Sequence, residues 1–418
     1  MAASERSVAF TGRVSLTSHQ YAPRTLVRRT RVTTLERRAG RTPRLNTLTG
    51  LRFGAAALVL LHHVSYFLVP NGPFGNLFGS GYVGVAFFFV LSGFVLGWVH
   101  DGRVSLRDFY ARRFARIYPL QLVTAAAAVP VVLILGVSLS WPRVIANLLL
   151  VHSWVPLESW GSSLNGASWS LACEAFFYAM FPVVIAVVTR VRFRTLAMTT
   201  FLALVVVAIA VRSSTSAEIA SGLLYKGPWY RLGEFVLGVA LAVAVRRGYR
   251  SRVSLNWAMA VAATTYGLIV GALPLLSVST TRVVADLLIL PATCLLIVAA
   301  ATSDLDGRRN GFASNVVVKL GEASFALYMC HFLVLQMWTR FVAALMPVWL
   351  SCVVVIALSI ALSIVLHQFV ERPAERVLRF LLSSRAQPKR AVSIGADRYT
   401  DSGDGTNRAS AEMSPGTR

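Results

Sequence analysis

Ten long apolar runs, separated by short polar segments, constrain this chain more than any other feature of its sequence. A helix needs about 20 apolar residues to cross the roughly 30 Å hydrocarbon core of a bilayer. The composition, 56% hydrophobic and 14% charged, is typical of a polytopic membrane protein. The sequence therefore predicts an all-α fold, a polytopic bundle of about ten transmembrane helices, at residues 53–69, 82–99, 117–137, 168–189, 195–211, 229–245, 254–273, 283–301, 318–345 and 347–370.

Positive charge is distributed unevenly between the two ends of these runs. In a soluble protein a net charge of +23 would indicate nucleic acid binding, but here the cations cluster in short loops and tails. With a cytoplasmic N-terminus, 35 of the 41 Lys and Arg residues fall in cytoplasmic segments, as the positive-inside rule favours. We therefore predict a multi-pass protein of the cell membrane, with both termini cytoplasmic and the lipid bilayer, not nucleic acid, around it. The six cations on the other side are Arg143, Arg212, Lys226, Arg231, Arg282 and Arg340.

Polar tails flank the apolar part of the chain. Residues 1–44 are rich in Arg, Ser and Thr and lack the apolar segment of a secretory signal, so we predict a disordered basic tail. Residues 45–380 form the predicted membrane domain, and residues 381–418 a second disordered tail. The four cysteines lie in apolar runs without CxxC spacing, which predicts neither a disulfide framework nor a metal site.

The first run contains two histidines and follows an arginine, in LTGLRFGAAALVLLHH at residues 48–63. Arg52 and His63 are 11 residues apart, which at about 100° per residue places them on one stripe of a helix. At about 1.5 Å per residue, His63 lies roughly 16 Å deeper than Arg52, near the middle of the bilayer. Ionisable residues at that depth usually face a bundle interior or a cavity.

A neutral imidazole can accept a proton from a hydroxyl group near pH 7. We therefore interpret His63 as the candidate catalytic base and its neighbour His62 as a candidate cavity residue. The alternative is that the imidazole only forms a hydrogen bond to another helix and stabilises the bundle.

Three arginines stand where the third run meets the predicted cytoplasmic surface, in FYARRFARIYP at residues 109–119. Arg112 and Arg116 are four residues apart and share a helix face. The planar guanidinium groups of Arg112, Arg113 and Arg116 suit the oxygens of phosphate groups. The alternative is ordinary positive-inside charge, or contact with anionic lipid.

Glu174 lies about two turns into the fourth run, where a carboxylate needs a partner. We interpret it as a second catalytic candidate, which would orient a histidine or bind a sugar hydroxyl. The alternative is a structural ion pair with Arg231 or with a histidine.

Ser92 and His331 are weaker candidates for a cavity. Ser92 lies in GYVGVAFFFVLSGFVLGW at residues 81–98, where the glycines indicate close helix packing. His331 lies in GEASFALYMCHF, where a hydrogen bond between helices is the simpler interpretation.

Six segments, taken in order, resemble the acyltransferase-3 family of integral membrane O-acyltransferases over about residues 44–380. They are LTGLRFGAAALVLLHH, GYVGVAFFFVLSGF, RRFARIYP, SWSLACEAFFY, YMCHF and VERPAE. The opening motif is similar to that of actinobacterial members, including acyltransferases of macrolide antibiotics and of envelope glycans.

This resemblance implies transfer of an acyl group, often acetyl from acetyl-CoA, to a hydroxyl of a carbohydrate or carbohydrate-bearing acceptor. The family's first-span arginine and histidine correspond by position to Arg52 and His63, and its cytoplasmic arginine motif to Arg113 and Arg116. Glu174 matches the glutamate of its WSL-x-x-E segment. Acyl-CoA would be a co-substrate, and no tightly bound cofactor is expected.

The residues and the resemblance together predict one mechanism. The arginines hold the phosphates of acyl-CoA, the pantetheine arm follows the Arg52–His63 stripe, and His63 deprotonates the acceptor hydroxyl. The acyl group then passes to that hydroxyl directly or through an acyl-enzyme, and we favour direct transfer because no serine or cysteine is placed beside a base. The alternative function is a transporter or flippase for a glycan or lipid-linked substrate, which would also need intramembrane charges and a cavity.

Overall fold

The apolar runs correspond to helices in a computed structural model, which describes residues 42–272 and 278–383. Within these two ranges the regular structure is entirely helical. Nine helical segments there are long and apolar enough to cross a membrane, and a tenth is a pair of helices bent by 61°. The predicted all-α class is confirmed, with about nine candidate spans. Most of both predicted tails, 1–44 and 381–418, lies outside the described residues.

Proline and serine mark two helix starts. Pro228 is the first residue of its helix, where its missing N–H removes no helical hydrogen bond. Ser105 accepts a hydrogen bond from Asp108 N at 3.1 Å and so caps the third long helix. The helices of the first half are α1 (Asn46–Leu68), α2 (Gly72–Phe78), α3 (Gly84–Val99), α4 (Leu106–Ile134), α5 (Trp141–Leu148), α6 (Glu158–Gly161), α7 (Trp169–Arg190) and α8 (Phe193–Ser214).

The second half continues the same pattern, with two π-helical turns at Gly222–Lys226 and His367–Glu371. Its helices are α9 (Ala217–Ser221), α10 (Pro228–Arg246), α11 (Leu255–Ala272), α12 (Val278–Leu305), α13 (Asn315–Glu322), α14 (Ser324–Phe341), α15 (Val348–Leu366) and α16 (Arg372–Ser383).

The long helices alternate in direction, so their ends gather at two faces of the bundle. At one face Thr47 N, in α1, donates to Asp304 Oδ2 in α12 at 2.9 Å. Arg246, in α10, donates to Gly97 O at the same face, at 2.9 Å. Most of the described arginines lie here, and we call it the basic face. That this face is cytoplasmic stays a prediction.

Helices α3 and α10 approach each other very closely at the centre of the bundle. A Cβ atom on Gly238 would lie 1.9 Å from Val90 O, and one on Gly93 would lie 2.1 Å from Phe235 O. Neither position can therefore hold a larger side chain in this arrangement. The close packing predicted around Gly93 is confirmed, and it gives these helices the van der Waals contact on which association in a bilayer depends.

The predicted run 318–345 is broken into α13 and α14 at Ala323. Helix α13 crosses the start of α1, where a Cβ atom on Gly321 would lie 1.9 Å from Thr49 O. The chain must turn after this crossing before α14 can run along the bundle. Hydropathy alone cannot show this bend, because the two parts together are apolar enough to be taken as one span.

One buried arginine ties α10 to α12. The Arg231 side chain is 0% exposed, and its guanidinium lies 2.5 Å from Glu234 Oε1 and 2.5 Å from Asp286 Oδ2. Its Nε donates to Tyr225 O at 2.7 Å. A charged side chain that is fully buried in a membrane bundle requires such counter-charges, and here two carboxylates supply them.

The segment between α4 and α7 folds back onto the bundle through a buried asparagine. Asn147 Oδ1 accepts from Gln121 Nε2 at 2.8 Å, and its Nδ2 donates to Ser168 Oγ at 3.0 Å. Ser168 Oγ in turn donates to Asn165 O at 2.7 Å. These bonds fix the segment, part of which forms one wall of the site described next.

Candidate active site

Two cavities lie one after the other between the basic face and the opposite face. The first has a volume of about 140 Å³ and is lined by arginines of α1 and α4, with Glu174 of α7. The second has a volume of about 240 Å³ and is lined by His62 and His63 of α1. We call them the basic cavity and the histidine cavity.

Two guanidinium groups in the basic cavity have no carboxylate partner. Arg52 and Arg113 both line this cavity. Within residues 42–272 and 278–383, neither makes an ion pair. Arg113 instead lies over the rings of Phe109 and Tyr178, at 5.7 and 5.8 Å from their centroids. Both groups are therefore available to an anion.

The other two arginines of the predicted phosphate site differ from this pair. Arg116 also lines the basic cavity, but it is in an ion pair with Glu371 and lies 3.4 Å from Glu375 Oε2. Arg112 is exposed on the outer side of α4 and does not line the cavity. The helix face that lines the cavity therefore carries Arg113 and Arg116, not Arg112 and Arg116.

Glu174 faces the basic cavity and accepts hydrogen bonds from two hydroxyl groups. Ser92 Oγ donates to Glu174 Oε1 at 3.1 Å, and the Tyr178 hydroxyl donates to the same oxygen. In the described part of the chain its hydrogen-bond partners include neither a histidine nor Arg231. Glu174 and Ser92 thus lie beside the arginines, and not beside His63.

His63 faces the histidine cavity with one ring nitrogen free. Its Nδ1 lies 2.9 Å from Val59 O and 3.2 Å from His331 Nε2. Since a carbonyl oxygen can only accept, Nδ1 carries the hydrogen, and Nε2 of the neutral ring carries none. The free Nε2 of His63 can accept a proton from a group bound in the cavity.

His331 contacts the Nδ1 side of the His63 ring. The His331 side chain is 1% exposed and lines neither cavity. The sequence analysis had named it as a weaker candidate for a cavity residue, and the structure does not place it there. His331 Nδ1 lies 3.0 Å from Leu327 O, so it carries the hydrogen and leaves Nε2 as the acceptor for His63. His62 does line the histidine cavity, with its ring 5.5 Å from that of Tyr82.

Three charged residues of the histidine cavity were missed by the sequence analysis. Lys226 Nζ lies 2.5 Å from Glu158 Oε1, and Arg282 lies over the Tyr225 ring at 5.1 Å. Burial favours the neutral carboxyl of Glu158, but the Lys226 ammonium overcomes this and holds the pKa of Glu158 below its ordinary value. Lys226 and Arg282 are two of the six cations assigned to the cation-poor side. This exceptional position is the feature of the sequence that could have identified them as candidate site residues.

The two cavities share a wall. Val85 of α3 and Tyr328 of α14 line both of them. Arg52 and His63, which the sequence places on one stripe of α1, lie on opposite sides of this wall. A cavity lined by arginines and a cavity lined by a histidine with a free Nε2 are therefore neighbours inside one bundle.

Comparison with known proteins identifies relatives over most of the chain. The model of the acyltransferase-3 family, described as an acyltransferase domain, matches residues 45–368. Acyltransferase MdmB of Streptomyces mycarofaciens is 33% identical over 401 residues, which cover 88% of this chain and 99% of MdmB. No solved structure matches this chain.

Two further relatives match over shorter stretches. A candidate peptidoglycan O-acetyltransferase of Bacillus subtilis, YrhL, is 29% identical over 215 residues, covering 47% of this chain and 32% of YrhL. Peptidoglycan O-acetyltransferase OatA of Listeria monocytogenes is 25% identical over 158 residues, covering 32% of this chain and 23% of OatA. With the family match extending over residues 45–368, the chain belongs to the acyltransferase-3 family and is a membrane O-acyltransferase.

Proposed function

We propose that this enzyme transfers an acyl group, acetyl in the simplest case, from acyl-CoA to a hydroxyl of a carbohydrate or glycosylated acceptor. One observation carries the proposal: two guanidinium groups without an ion pair among the described residues, and a histidine with a free Nε2, line neighbouring cavities. The first suits the phosphates of the donor, and the second suits the hydroxyl of the acceptor.

The donor binds from the basic face. Arg52 and Arg113 hold the diphosphate of acyl-CoA by charge-assisted hydrogen bonds, and the hydrocarbon-lined part of the basic cavity receives the slender pantetheine arm. Arg52 and His63 are 11 residues apart on α1, a distance of about 16 Å along the helix. The thioester thus travels along α1 toward the histidine. The basic face is then the face of the plasma membrane that is in contact with the cytoplasm, the compartment that supplies acyl-CoA.

The acceptor binds in the histidine cavity. His63 Nε2 takes the proton of the acceptor hydroxyl while that oxygen attacks the thioester carbonyl carbon. The tetrahedral intermediate collapses, the C–S bond breaks, and the thiolate of CoA takes the proton back from the imidazolium. His331 and Val59 O keep the Nδ1–H of His63 fixed throughout, so that Nε2 stays directed at the cavity. The acyl group passes directly from sulfur to oxygen.

The lining of the histidine cavity suits a sugar. Tyr66, Trp169 and Phe332 provide aromatic surface, and Glu158 and Lys226 provide hydrogen-bonding groups. Two relatives are named for O-acetylation of peptidoglycan, whose glycan chains carry such hydroxyls. Envelope glycans and glycosylated macrolides are therefore the acceptor classes to test first.

Release of CoA thiol by the purified protein tests the proposal. The assay uses acetyl-CoA or propionyl-CoA with a panel of glycan and macrolide acceptors. We expect release that depends on one acceptor class, and a loss of about 10²- to 10⁴-fold in His63→Gln, the range of general base catalysis. His100→Gln is the matched control, because His100 lies at the end of α3 outside both cavities.

Activity that survives in His63→Gln would contradict the role of this histidine as base. Binding of acyl-CoA without any acyl transfer to the whole panel would instead contradict the proposed acceptor classes. Failure of acyl-CoA to bind would contradict the proposed donor and leave transport of a glycan or lipid-linked substrate as the better function.

A further inference from the structure

Four helices each contribute to both cavities, and along each helix the lining changes from one cavity to the other. On α14, Phe325 lines the basic cavity, Phe332 lines the histidine cavity, and Tyr328 between them lines both. On α3, which runs in the opposite direction, Val85 lines both cavities and Ser92 lines the basic one.

The other two helices also contribute to the basic cavity at one position and to the histidine cavity at another. On α7, Trp169 lines the histidine cavity and the next residue, Ser170, lines the basic cavity. On α1, Arg52 lines the basic cavity and Val59 the histidine cavity. The two cavities are therefore separated by a single layer of side chains, in which Tyr328 is the largest that faces both.

The Tyr328 ring lies beside His331, which contacts the proposed base His63. Its centroid is 5.8 Å from that of His331, the residue that contacts His63, and 6.0 Å from that of Phe88 on the other side. A thioester that reaches His63 Nε2 from the basic cavity must place its acyl chain at this layer. The Tyr328 ring therefore limits the space that is available to the acyl chain in this layer.

We propose that Tyr328, opposed by Val85, is the residue that determines acyl chain length, by restricting the passage between the donor and acceptor cavities to short acyl groups. This inference rests on the proposed function, because it requires an acyl-CoA donor. The same ring also keeps water of the histidine cavity away from a thioester that waits in the basic cavity.

Competition between acetyl-CoA and butyryl-CoA tests the inference, with the acceptor that supports wild-type turnover. We expect Tyr328→Leu to raise the butyryl-to-acetyl ratio of kcat/KM by about 10-fold or more, since one methylene in a fitted pocket changes selectivity by at least that factor. CoA release without acceptor should also rise. Tyr328→Phe, which keeps the ring, should retain the wild-type ratio.

Two further variants make the result decisive. Val85→Ala widens the same passage from α3 and should shift the ratio in the same direction, even if Tyr328→Leu does not fold. Phe341→Leu removes an exposed ring at the far end of α14 and should leave the ratio unchanged. A wild-type ratio in both Tyr328→Leu and Val85→Ala, with acyl transfer intact, would overturn the inference while leaving the proposed function standing.

Discussion

Arg52, Arg113 and Arg116 line one cavity, yet their substitution by glutamine should give two different results. Arg52 and Arg113 lack carboxylate partners in the described chain, whereas Arg116 is paired with Glu371, whose side chain is 1% exposed. We therefore expect Arg52→Gln and Arg113→Gln to impair donor binding at nearly unchanged stability. Arg116→Gln should chiefly impair stability.

The structure sets the size of each effect. A charge-assisted hydrogen bond to a phosphate contributes about 1.5–3 kcal/mol, so Arg52→Gln or Arg113→Gln should weaken acyl-CoA binding about 10- to 100-fold. Removal of one partner from a buried ion pair costs about 3–5 kcal/mol. Because His367 Nδ1 still lies 2.8 Å from Glu371 Oε2, the loss of stability in Arg116→Gln should be near the lower end of this range, about 3 kcal/mol.

Two measurements on the same preparations separate these effects. Isothermal titration with acyl-CoA gives the donor affinity, and thermal unfolding in detergent gives the stability. The double variant Arg116→Gln with Glu371→Gln should recover much of the lost stability, because it leaves no unpaired buried charge. An Arg116→Gln variant of wild-type stability with donor affinity as weak as that of Arg113→Gln would refute the reasoning.

Three further predictions concern the histidines, the pH dependence and the helix packing. His331→Phe removes the acceptor next to His63 Nδ1 but leaves Val59 O, so kcat at saturating donor should fall only about 5- to 10-fold, far less than in His63→Gln; an equal loss in both variants would contradict this. The pKa of Glu158 is lower in the folded protein than its ordinary value of 4.5, because of its pairing with Lys226. The pairing therefore stabilises the fold fully above pH 4.5, and this stabilisation is lost as the pH falls through the lower folded-state pKa. The unfolding midpoint of wild type should therefore exceed that of Glu158→Gln near neutral pH and approach it only below about pH 4.5; a gap that closes at higher pH would contradict the assignment. Gly238→Ala places a Cβ atom 1.9 Å from Val90 O and should lower the unfolding midpoint strongly, whereas Gly267→Ala, with no atom within 4 Å, should not; equal midpoints would show that α3 and α10 are less closely packed.

The sequence predicts the helices well because span length and hydropathy are local properties. Each predicted run falls on a helical segment, and the bend at Ala323, which the sequence did not predict, lies where α13 contacts α1. The stripe of Arg52 and His63 is also local, since helix geometry alone sets the angle between residues 11 apart.

Pairing between distant residues could not be predicted in the same way. Arg116 and Glu371 are separated by 255 residues, and His63 and His331 by 268, so no periodicity connects them. The sequence therefore could not tell a paired arginine from an unpaired one, or a supporting histidine from a cavity histidine. Arg282 and Lys226 were missed for another reason: they entered the argument only as charges that oriented the chain.

The buried cluster of Arg231, Glu234 and Asp286 also has a consequence for biosynthesis. Helix α10 emerges from the ribosome with Arg231 and Glu234, whereas Asp286 follows two spans later on α12. An Arg or Asp without a partner disfavours helix insertion by up to about 2.5–3.5 kcal/mol, the figure for the centre of a helix, and Arg231 lies in the first turn of α10. Helix α10 should therefore stay at the translocon, or in its protected vicinity, until α12 arrives and the three charges enter the bilayer together. Chains that stop after residue 272 should insert α10 poorly, and restoring α12 should rescue its insertion.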